Sequence, residues 1–490
     1  MANPRILVLL VVAALLVTGG AAAQWSTDPA APLVIADRSG PQVQSKIAAC
    51  ADGGFYVSWY DSSTGGYDVY LQRLDAAGNE LWDHNGVLVA DRSFSSTQDY
   101  GLSTDTSGNA LLAFRDDRGA TTEITVAKIS PLGAPLWGAS GVQVSTGGLF
   151  VAAPKVAGTT DGFVVVAWTS EADVKVQKLD DFGTPEWGSG ITFSPPAGSF
   201  GVADLHASDA GAAIVSFTHL TGSFPSPVHL WAQKLASADG SSLWGAGHVQ
   251  VYDQAGGSLQ FGNFPAFVPD GSGGAVFAWY TNSPTLQVRA QRVLANGTEV
   301  FAHNGVEVST DATRLRVDGV AAFHPATSET FVAWTEENSN QSLWGLYAQK
   351  LDAAGLRQWT DTGRELIALG TEQISTINVM TLDDGALISW IRSPTFGNEP
   401  ISATRVDGNG VFVWMPSTVE ICSLATESSR LVGAMGSGGF AAYAWSDGGS
   451  STGDILAAAL NPDGTLGGLG LIFSDGFESG DTGAWTGTSP

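Results

Sequence analysis

One pattern of apolar and polar residues returns eight times along the 490-residue chain. An apolar, a small and an aromatic residue come first, followed by a basic residue before an aliphatic one. A polar turn then closes on Gly, and an aromatic residue stands four positions later. The first copy reads Val57-Ser58-Trp59, then Gln72 to Gly78, then Trp82. The first aromatic recurs at intervals of 55, 54, 49, 62, 55, 56 and 55 residues, a spacing typical of repeat architectures. These aromatics are Trp59, Phe114, Trp168, Phe217, Trp279, Trp334, Trp390 and Trp445.

Each repeat divides into four short segments of strand character separated by turn signals. In the first repeat they are Ser45 to Ala49, Phe55 to Tyr60, Asp68 to Leu74 and Val87 to Ala90. No long segment shows a helical period. Four strands in each of eight repeats predict an all-β protein, an eight-bladed β-propeller with four antiparallel strands per blade.

The aromatic residue after the turn Gly is as regular as the turn itself. It is present in seven of eight repeats, and Asp, Ser or Asn stands three positions before the Gly in seven of eight. A side chain that holds its own turn, followed by a residue that tolerates positive φ, is typical of a tight hairpin. Because the tryptophans recur with the repeat, we expect Trp82, Trp187 and Trp359 to pack in the core, and a sugar-binding platform is the less favoured alternative.

The two ends of the propeller complement each other. Residues Pro32 to Ser39 closely resemble the fourth strand of the first repeat, yet they precede its first strand. The last repeat supplies three strands and lacks the aromatic after Gly464. An N-terminal strand that completes the last blade would remove an open sheet edge. We therefore predict that the N-terminal strand closes the ring.

The first 23 residues have the features of a secretory signal peptide: Arg5, an apolar run, and Ala21-Ala22-Ala23. The predicted organisation is a signal peptide at 1–23, a propeller at 24–470 and a tail at 471–490 that is disordered or serves as a sorting segment. No later stretch is apolar enough to span a bilayer, so membrane insertion is not expected. We expect a monomeric protein that is secreted or held at the cell surface.

Charge and cysteine content exclude several classes of function. The net charge of −26 becomes −27 when residues 1–23, with Arg5 and no acidic residue, are removed. Such a protein repels phosphate backbones, and nucleic acid is not an expected partner.

Two cysteines exclude a disulfide-stapled scaffold and a cysteine-based zinc site. Cys50 and Cys422 fall at opposite ends of blades two apart, so both thiols are predicted to be free.

The Asp-x-x-Gly-x-x-x-Trp phrase, as in Asp75 to Trp82, resembles the tryptophan-docking motif of quinoprotein-type eight-bladed propellers. It differs by one residue in the turn, and no quinone-holding cluster accompanies it. Tyr347 to Asp352 and Phe301 to Val306 are similar to repeats of large exported bacterial propeller proteins of unassigned activity. These resemblances imply a propeller architecture for this chain. The tail from Phe473 to Asp481 is similar to a segment near the C-terminus of exported bacterial proteins.

The long, variable connections share one face of the predicted ring, and a rigid scaffold carries function on such loops. The innermost strands would place one residue from each repeat at the mouth of the central channel: Lys46, Tyr100, Lys155, Asp204, Pro265, Asp318, Asn378 and Arg430. Lys46, Lys155 and Arg430 would form a positive spot on an acidic body, which suits an acidic sugar or another carboxylate. The alternative is that these three cations pair with neighbouring acids such as Asp204 and Asp318.

Other polar residues fall outside the repeat. His206 lies beside Asp204 on an innermost strand, and a pair with His219 is one hypothesis for metal or acid–base chemistry. The acidic loops around residues 115–118 and 336–338 could hold Ca²⁺, although neither has a recognised ligand spacing. No other cofactor and no metal site is expected.

The leading hypothesis is an exported, non-catalytic binding or adhesion scaffold that takes a protein or a glycan on its variable-loop face. The first alternative is an extracellular polysaccharide hydrolase or lyase, which would need a tight group of carboxylates or histidines at the channel mouth. The second alternative is a quinoprotein-like oxidoreductase. No catalytic residue is assigned from the sequence.

Overall fold

The computed structural model describes residues 24–449 and 452–468. The predicted signal peptide at 1–23 and the tail at 471–490 lie outside the described residues. Within them, the chain forms eight antiparallel sheets that are consecutive in sequence. The innermost strand of each sheet contacts the innermost strands of both neighbours, and the last contacts the first. The protein is therefore an eight-bladed β-propeller, as the repeat predicts.

The strands of the first four blades are short and follow each other in simple order. Blade 1 contains β2 (Gln42–Ala49), β3 (Phe55–Asp61), β4 (Asp68–Leu74) and β5 (Val87–Ala90). Blade 2 contains β6 (Gly101–Thr104), β7 (Ala110–Asp116), β8 (Glu123–Ile129) and β9 (Val142–Gln143). Blade 3 contains β10 (Val151–Gly158), β11 (Val164–Ser170), β12 (Asp173–Leu179) and β13 (Ile191–Phe193). Blade 4 contains β14 (Ser199–Ala207), a 3₁₀ turn at Asp209–Gly211, β15 (Ala213–Leu220), β16 (Val228–Leu235) and β17 (Val249–Tyr252).

The other four blades include one broken strand and one strand from the N-terminus. Blade 5 contains β18 (Ser258–Leu259), β19 (Phe267–Pro269), β20 (Ala275–Ser283), β21 (Gln287–Val293) and β22 (Val306–Glu307). Blade 6 contains β23 (Arg314–His324), β24 (Glu329–Asn338), β25 (Trp344–Leu351) and β26 (Arg364–Gly370). Blade 7 contains β27 (Gln373–Leu382), β28 (Gly385–Ser393), β29 (Ile401–Val406) and β30 (Thr418–Cys422). Blade 8 contains β31 (Ser428–Met435), β32 (Ala441–Asp447), β33 (Asp454–Leu460) and β1 (Leu33–Ala36).

The N-terminal strand closes the ring. Strand β1 pairs antiparallel with β33, with Leu33 opposite Ala457 and Ala36 opposite Ile455. The edge of blade 8 is thereby covered by a strand that precedes blade 1 in the sequence. The predicted closure of the last blade is confirmed.

The tryptophans after the turn glycines connect neighbouring blades. In each case the aromatic ring of one blade lies against the turn Gly of the next, which has positive φ and no Cβ to block the contact. The indole Nε1 of Trp359, for example, donates to the carbonyl oxygen of Gly408 at 3.1 Å. Trp187 and Trp359 are buried, whereas Trp82 is half-buried. These residues are packing groups, as the period predicts.

Trp25 supplies the aromatic that the eighth repeat lacks. Its indole lies against Gly78 of blade 1, and its Nε1 donates to the carbonyl oxygen of Ala76 at 3.0 Å. The ring is only 4% exposed, and it also contacts Phe55 and Phe440 edge-on. The N-terminal segment therefore completes both the sheet of blade 8 and the aromatic contact from blade 8 to blade 1.

The repeated basic residues are structural. Each pairs with an acidic residue in the first hairpin of its own blade: Arg73–Asp52, Lys128–Asp105, Lys178–Asp161, Lys234–Asp209, Arg292–Asp270, Lys350–Glu329 and Arg405–Asp383.

Cys50 and Cys422 are both free and buried, and burial raises the pKa of each thiol to about 11. Within the described residues, no helix is long and apolar enough to cross a membrane.

His84 links blade 1 to the N-terminal strand that closes the ring. Its Nδ1 lies 3.0 Å from Glu80 of the same blade, and its Nε2 lies 3.2 Å from Asp37, which follows β1. Burial lowers the pKa of His84, but the hydrogen bonds and charges of Glu80 and Asp37 outweigh it and raise the pKa overall. His303 bridges Glu299 and Asp253 in the same way between blades 5 and 4.

We expect the His84 contact to stabilise the fold mainly in acid. Because its folded pKa is raised, the contribution is complete below the unfolded pKa of about 6.5 and is lost as pH rises through the folded value. His84→Gln should lower the melting temperature more at about pH 5.5 than at about pH 8.5. The effect should stay below about 1 kcal/mol because the ring is nearly half exposed. Asp37→Asn should remove only part of this pH dependence, because Glu80 still contacts His84, and an equal loss at both pH values for His84→Gln would contradict the assignment.

Candidate functional site

A β-bulge in the innermost strands decides which residues line the channel. In blades 1, 3, 6, 7 and 8 the bulge contains one residue whose backbone is in the left-handed region, with φ between 48° and 61°. These residues are Gln44, Ala153, Asp318, Thr376 and Arg430. The register then places Lys46, Lys155, Asp204 and Asn378 opposite the small residue of the second strand. In blades 6 and 8 that position belongs to Val320 and Val432. Asp318 and Arg430 hold the same bulge position as Gln44, two residues before the position of Lys46, so the expected alignment is two residues out of register in blades 6 and 8.

Lys46 and Lys155 share one carboxylate. The Nζ of Lys46 lies 2.6 Å from Oδ1 of Asp99, and the Nζ of Lys155 pairs with the other oxygen of Asp99. The two lysines line a channel cavity of about 320 Å³ together with Tyr100, Asp204 and His206. We call this space the channel cavity. Arg430 does not line it, and its side chain is exposed.

The shared ion pair keeps two ammonium groups beside Asp99. Burial would raise the pKa of Asp99, but Lys155 and Lys46 outweigh it and hold the pKa well below its usual range. Burial lowers the pKa of Lys46, whereas Asp99 and Asp204 more than compensate for burial at Lys155 and raise its pKa. Two ammonium groups therefore face Asp99, and Asp204 is a second carboxylate that lines the channel cavity. Each ammonium has three N–H donors and donates one of them to Asp99, so the other donors remain for a ligand.

Asp204 and His206 form a second pair in the same cavity. The Nε2 of His206 lies 3.0 Å from Oδ2 of Asp204. Asp204 also accepts hydrogen bonds from the backbone N–H of Leu205 at 2.9 Å and of Phe267 at 3.1 Å. Burial lowers the pKa of His206, but the charge and hydrogen bond of Asp204 raise it overall. The imidazole also lies edge-on to the Phe267 ring at 4.8 Å, so its orientation is fixed.

A larger space opens above Lys155 toward the variable-loop face. It has a volume of about 610 Å³, and we call it the mouth cavity. Phe150, Phe200, Phe261 and Phe264 provide most of its aromatic surface, and Lys155 lines both it and the channel cavity. The two spaces therefore form one funnel from the variable-loop face into the channel.

Blade 5 builds one wall of the mouth cavity by breaking its innermost strand. Strands β18 and β19 both pair with β20, and residues 260–266 between them leave the sheet. Phe261 and Phe264 lie on this excursion, and the ring of Phe264 reaches Gly201, where a Cβ would come within 3.0 Å of it. Pro265, which the sequence alignment places in the strand, belongs to the excursion. The signal in the sequence was the 62-residue interval, which is seven residues longer than the 55-residue interval that follows it.

The structure brings together four of the five predicted ligand-binding residues: Lys46, Lys155, Asp204 and His206. Sequence reasoning missed Asp99, the residue just before a predicted channel position, and the four phenylalanines. The His206–His219 pair does not form. His219 lies opposite Phe200 and His206 opposite Ile214, so the two are six residues apart along their strands, about 20 Å.

The acidic loops proposed for Ca²⁺ have other partners. Asp116 pairs with Arg118 at 2.7 Å, and Glu336 pairs with the fully buried Arg316 at 3.1 Å. Within residues 24–449 and 452–468, no group of three or more His, Cys, Asp or Glu side chains is placed to hold a metal ion. Calcium binding stays a prediction.

Comparison with known proteins finds structural likeness at low sequence identity. No protein-family model matches the chain, and no curated protein sequence is significantly similar to it. Among solved structures, it is similar to an ulvan lyase bound to a GlcA–Rha3S saccharide (TM-score 0.48, 11% identity, 88% of this chain and 96% of that one). It is also similar to the Dos1 propeller (TM-score 0.48, 11% identity, 89% and 95%). A protein of unknown function from Dyadobacter fermentans gives a TM-score of 0.41 at 13% identity over 76% and 96% of the chains. Likeness at this level transfers no activity, so the function is argued from the residues of this chain.

Proposed function

We propose that this protein is an exported, non-catalytic binding protein for a ligand that carries a carboxylate. The ligand enters through the variable-loop face, and its carboxylate reaches Lys155 and Lys46 at the base of the funnel. The observation that supports this is the pair of lysines that share Asp99 directly below the mouth cavity. The proposal keeps the sequence-based hypothesis of an anionic ligand and replaces Arg430 by the funnel residues.

The charge of the surroundings favours a carboxylate at this point. The whole chain carries a net charge of −26, so an anion is repelled by most of the surface. The funnel base differs because two lysines share Asp99 there, and the second carboxylate of the channel cavity, Asp204, is paired with His206. Asp318, across the channel in blade 6, lines a separate cavity of about 430 Å³. A ligand carboxylate is therefore directed to the side of blades 1 and 3.

The contacts of the acidic groups favour binding over catalysis. Asp99 is held between two ammonium groups, and Asp204 accepts three hydrogen bonds from protein groups. A general base must hold the proton that it takes, and these contacts lower the pKa of both carboxylates, so each is a weak base.

Cleavage of an extracellular polysaccharide is the second candidate function. It is favoured by the grouping of Asp204, His206 and Lys155 around one cavity at the channel. A lyase would remove the C5 proton of a uronate and break the bond from C4 to the leaving oxygen, which leaves a C4=C5 double bond. Incubation with uronate polysaccharides distinguishes the two functions. Ultraviolet absorbance from unsaturated ends, or new reducing ends, that disappears in His206→Ala would replace the binding proposal by an enzyme.

Lys155→Met should weaken the binding of carboxylate ligands by at least about tenfold, because it removes a hydrogen bond to a charged group while keeping the apolar stem. The measurement is calorimetry with two probes, an oligogalacturonate and 3-phenylpropionate. Arg430→Ala is the matched control, since it removes a cation outside the funnel and should bind like the wild type. Absence of binding of both probes by the wild type, or equal binding by Lys155→Met, would overturn the proposal.

A further inference from the structure

The rim of the funnel gathers exposed aromatic rings on one side of the variable-loop face. Phe150 is 54% exposed, Phe261 53%, Phe264 49% and Phe224 68%. They come from three connections in blades 3, 4 and 5, which are far apart in the sequence. Large apolar side chains are otherwise a poor choice for a solvent-exposed loop, and a contiguous group of them marks an interaction surface.

Specific contacts hold these rings in place. Phe224 and Phe261 meet edge-on with ring centroids 5.0 Å apart. The guanidinium of Arg115 lies 5.9 Å from the centre of the Phe150 ring. The rim is therefore a preformed apolar surface, which lowers the entropy cost of binding.

The wall below the rim is also apolar. Phe200, Val202 and Val228 are buried side chains of blade 4 that line the mouth cavity. Two threonine hydroxyls in this wall have backbone partners, because Thr169 accepts the backbone N–H of Val202 at 2.9 Å and Thr218 donates to the carbonyl of Gly201 at 3.4 Å. A sugar needs hydrogen bonds for its many hydroxyl groups, and an unpaired polar group costs free energy on burial. This wall suits apolar side chains better than a saccharide.

We propose that the mouth cavity binds the C-terminal segment of a polypeptide that ends in large apolar residues. This inference rests on the proposed function and names its ligand class. The terminal carboxylate pairs with Lys155 and Lys46, and the last aromatic or aliphatic side chains pack among Phe150, Phe261 and Phe264. The mouth is open to solvent, so the rest of the chain continues outward, whereas a free fatty acid would need an enclosed tunnel for its acyl chain.

Glu171 adds selectivity at the mouth. It lines the mouth cavity, and its Oε1 accepts the backbone N–H of Phe150 at 2.5 Å. With Asp99, it is the other carboxylate that lines this space. An acidic residue just before the peptide terminus would be repelled by Glu171, whereas the charge of Asp99 is compensated by its two lysines, so the preferred sequences are apolar and carry no acid near the end.

The test uses the peptide Gly-Ser-Gly-Leu-Val-Phe with a free C-terminal carboxylate and the same peptide with a C-terminal amide. Calorimetry with the whole protein should show binding of the free acid that is at least about tenfold tighter than that of the amide. Phe261→Ala should weaken binding of the free acid by about tenfold. Phe396→Ala is the control, because Phe396 is 97% exposed on the same face but belongs to blade 7, outside the funnel. Melting curves of both variants report whether they remain folded.

The outcomes separate this inference from the proposed function. Equal affinity for the acid and the amide, or no effect of Phe261→Ala, would overturn the peptide inference. If the oligogalacturonate binds through Lys155 and the peptide does not, the carboxylate site stands and its ligand is an acidic glycan. If the peptide, the oligogalacturonate and 3-phenylpropionate all fail to bind, both proposals are wrong.

Discussion

A protein that lacks residues 24–40 should aggregate or melt at a markedly lower temperature than one that begins at Gln24. The deletion removes β1, and the edge of β33 is then open to pairing with other chains. It also removes Trp25 from the interface between blades 8 and 1, a loss that alone should cost about 3–5 kcal/mol. Calorimetric melting and light scattering measure the two effects.

The point variant Trp25→Ala separates the aromatic contact from the strand pairing. It should lower the melting temperature without exposing the sheet edge, so aggregation should increase less than in the deletion. A synthetic peptide of residues 24–40, added to the shortened protein, should restore part of the stability. If the deletion melts like the reference protein, the ring is not closed by its N-terminal strand.

Trp359→Ala should lower the free energy of unfolding by about 3–5 kcal/mol. Trp359 is 5% exposed, and its indole packs against Phe331 with ring centroids 5.6 Å apart. It also lies so close to Gly410 of the next blade that a Cβ added there would come within 3.2 Å of the indole. The substitution leaves a cavity between two blades and an unpaired carbonyl at Gly408. Denaturant unfolding followed by circular dichroism gives the change.

Trp82→Ala is the matched comparison because it occupies the same repeat position in blade 1. Trp82 is only half-buried, although its Nε1 still donates to the carbonyl oxygen of Pro131 at 3.1 Å. We expect a smaller loss of stability than for Trp359→Ala, since less apolar surface leaves the core. Unchanged stability together with lost glycan binding would instead support a sugar platform on these tryptophans.

The repeat determined the fold class because each of its parts makes a local or neighbouring contact. The observed β4 and β5 have the bounds that the pattern predicts, Asp68–Leu74 and Val87–Ala90. The Gly with positive φ and the aromatic four residues later recur together because one blade's ring lies on the next blade's Gly. Such contacts repeat with the sequence, so they can be found by comparing the chain with itself.

The role of Trp25 was not visible in the sequence. It stands outside every repeat, and it reaches Gly78 only because ring closure brings blade 8 beside blade 1. The missing aromatic after Gly464 indicated that a partner was needed, and the resemblance of residues 32–39 to a fourth strand indicated where the chain returns. Neither feature identified the side chain.

The candidate site depended on strand register, which the repeat does not show. The inner-strand bulge places Gln44, Ala153, Asp318, Thr376 and Arg430 in the left-handed region, and these five share no residue type that a pattern could detect. Arg430 therefore lies two residues before the position of the lysines, and Asp99 lies between the two lysines. Two lysines about 110 residues apart share one carboxylate only after three blades are side by side.

The sequence by itself determined the eight blades, the closing strand and the packing role of the repeated tryptophans, because these follow from periodic burial of apolar residues. Only the tertiary structure decided the funnel. Its phenylalanines come from non-repeated connections in blades 3, 4 and 5, and its lysines point to a common cavity because of the register of their strands. Contacts between non-repeated residues of different blades leave no period in the sequence, so their geometry appears only when the ring is assembled.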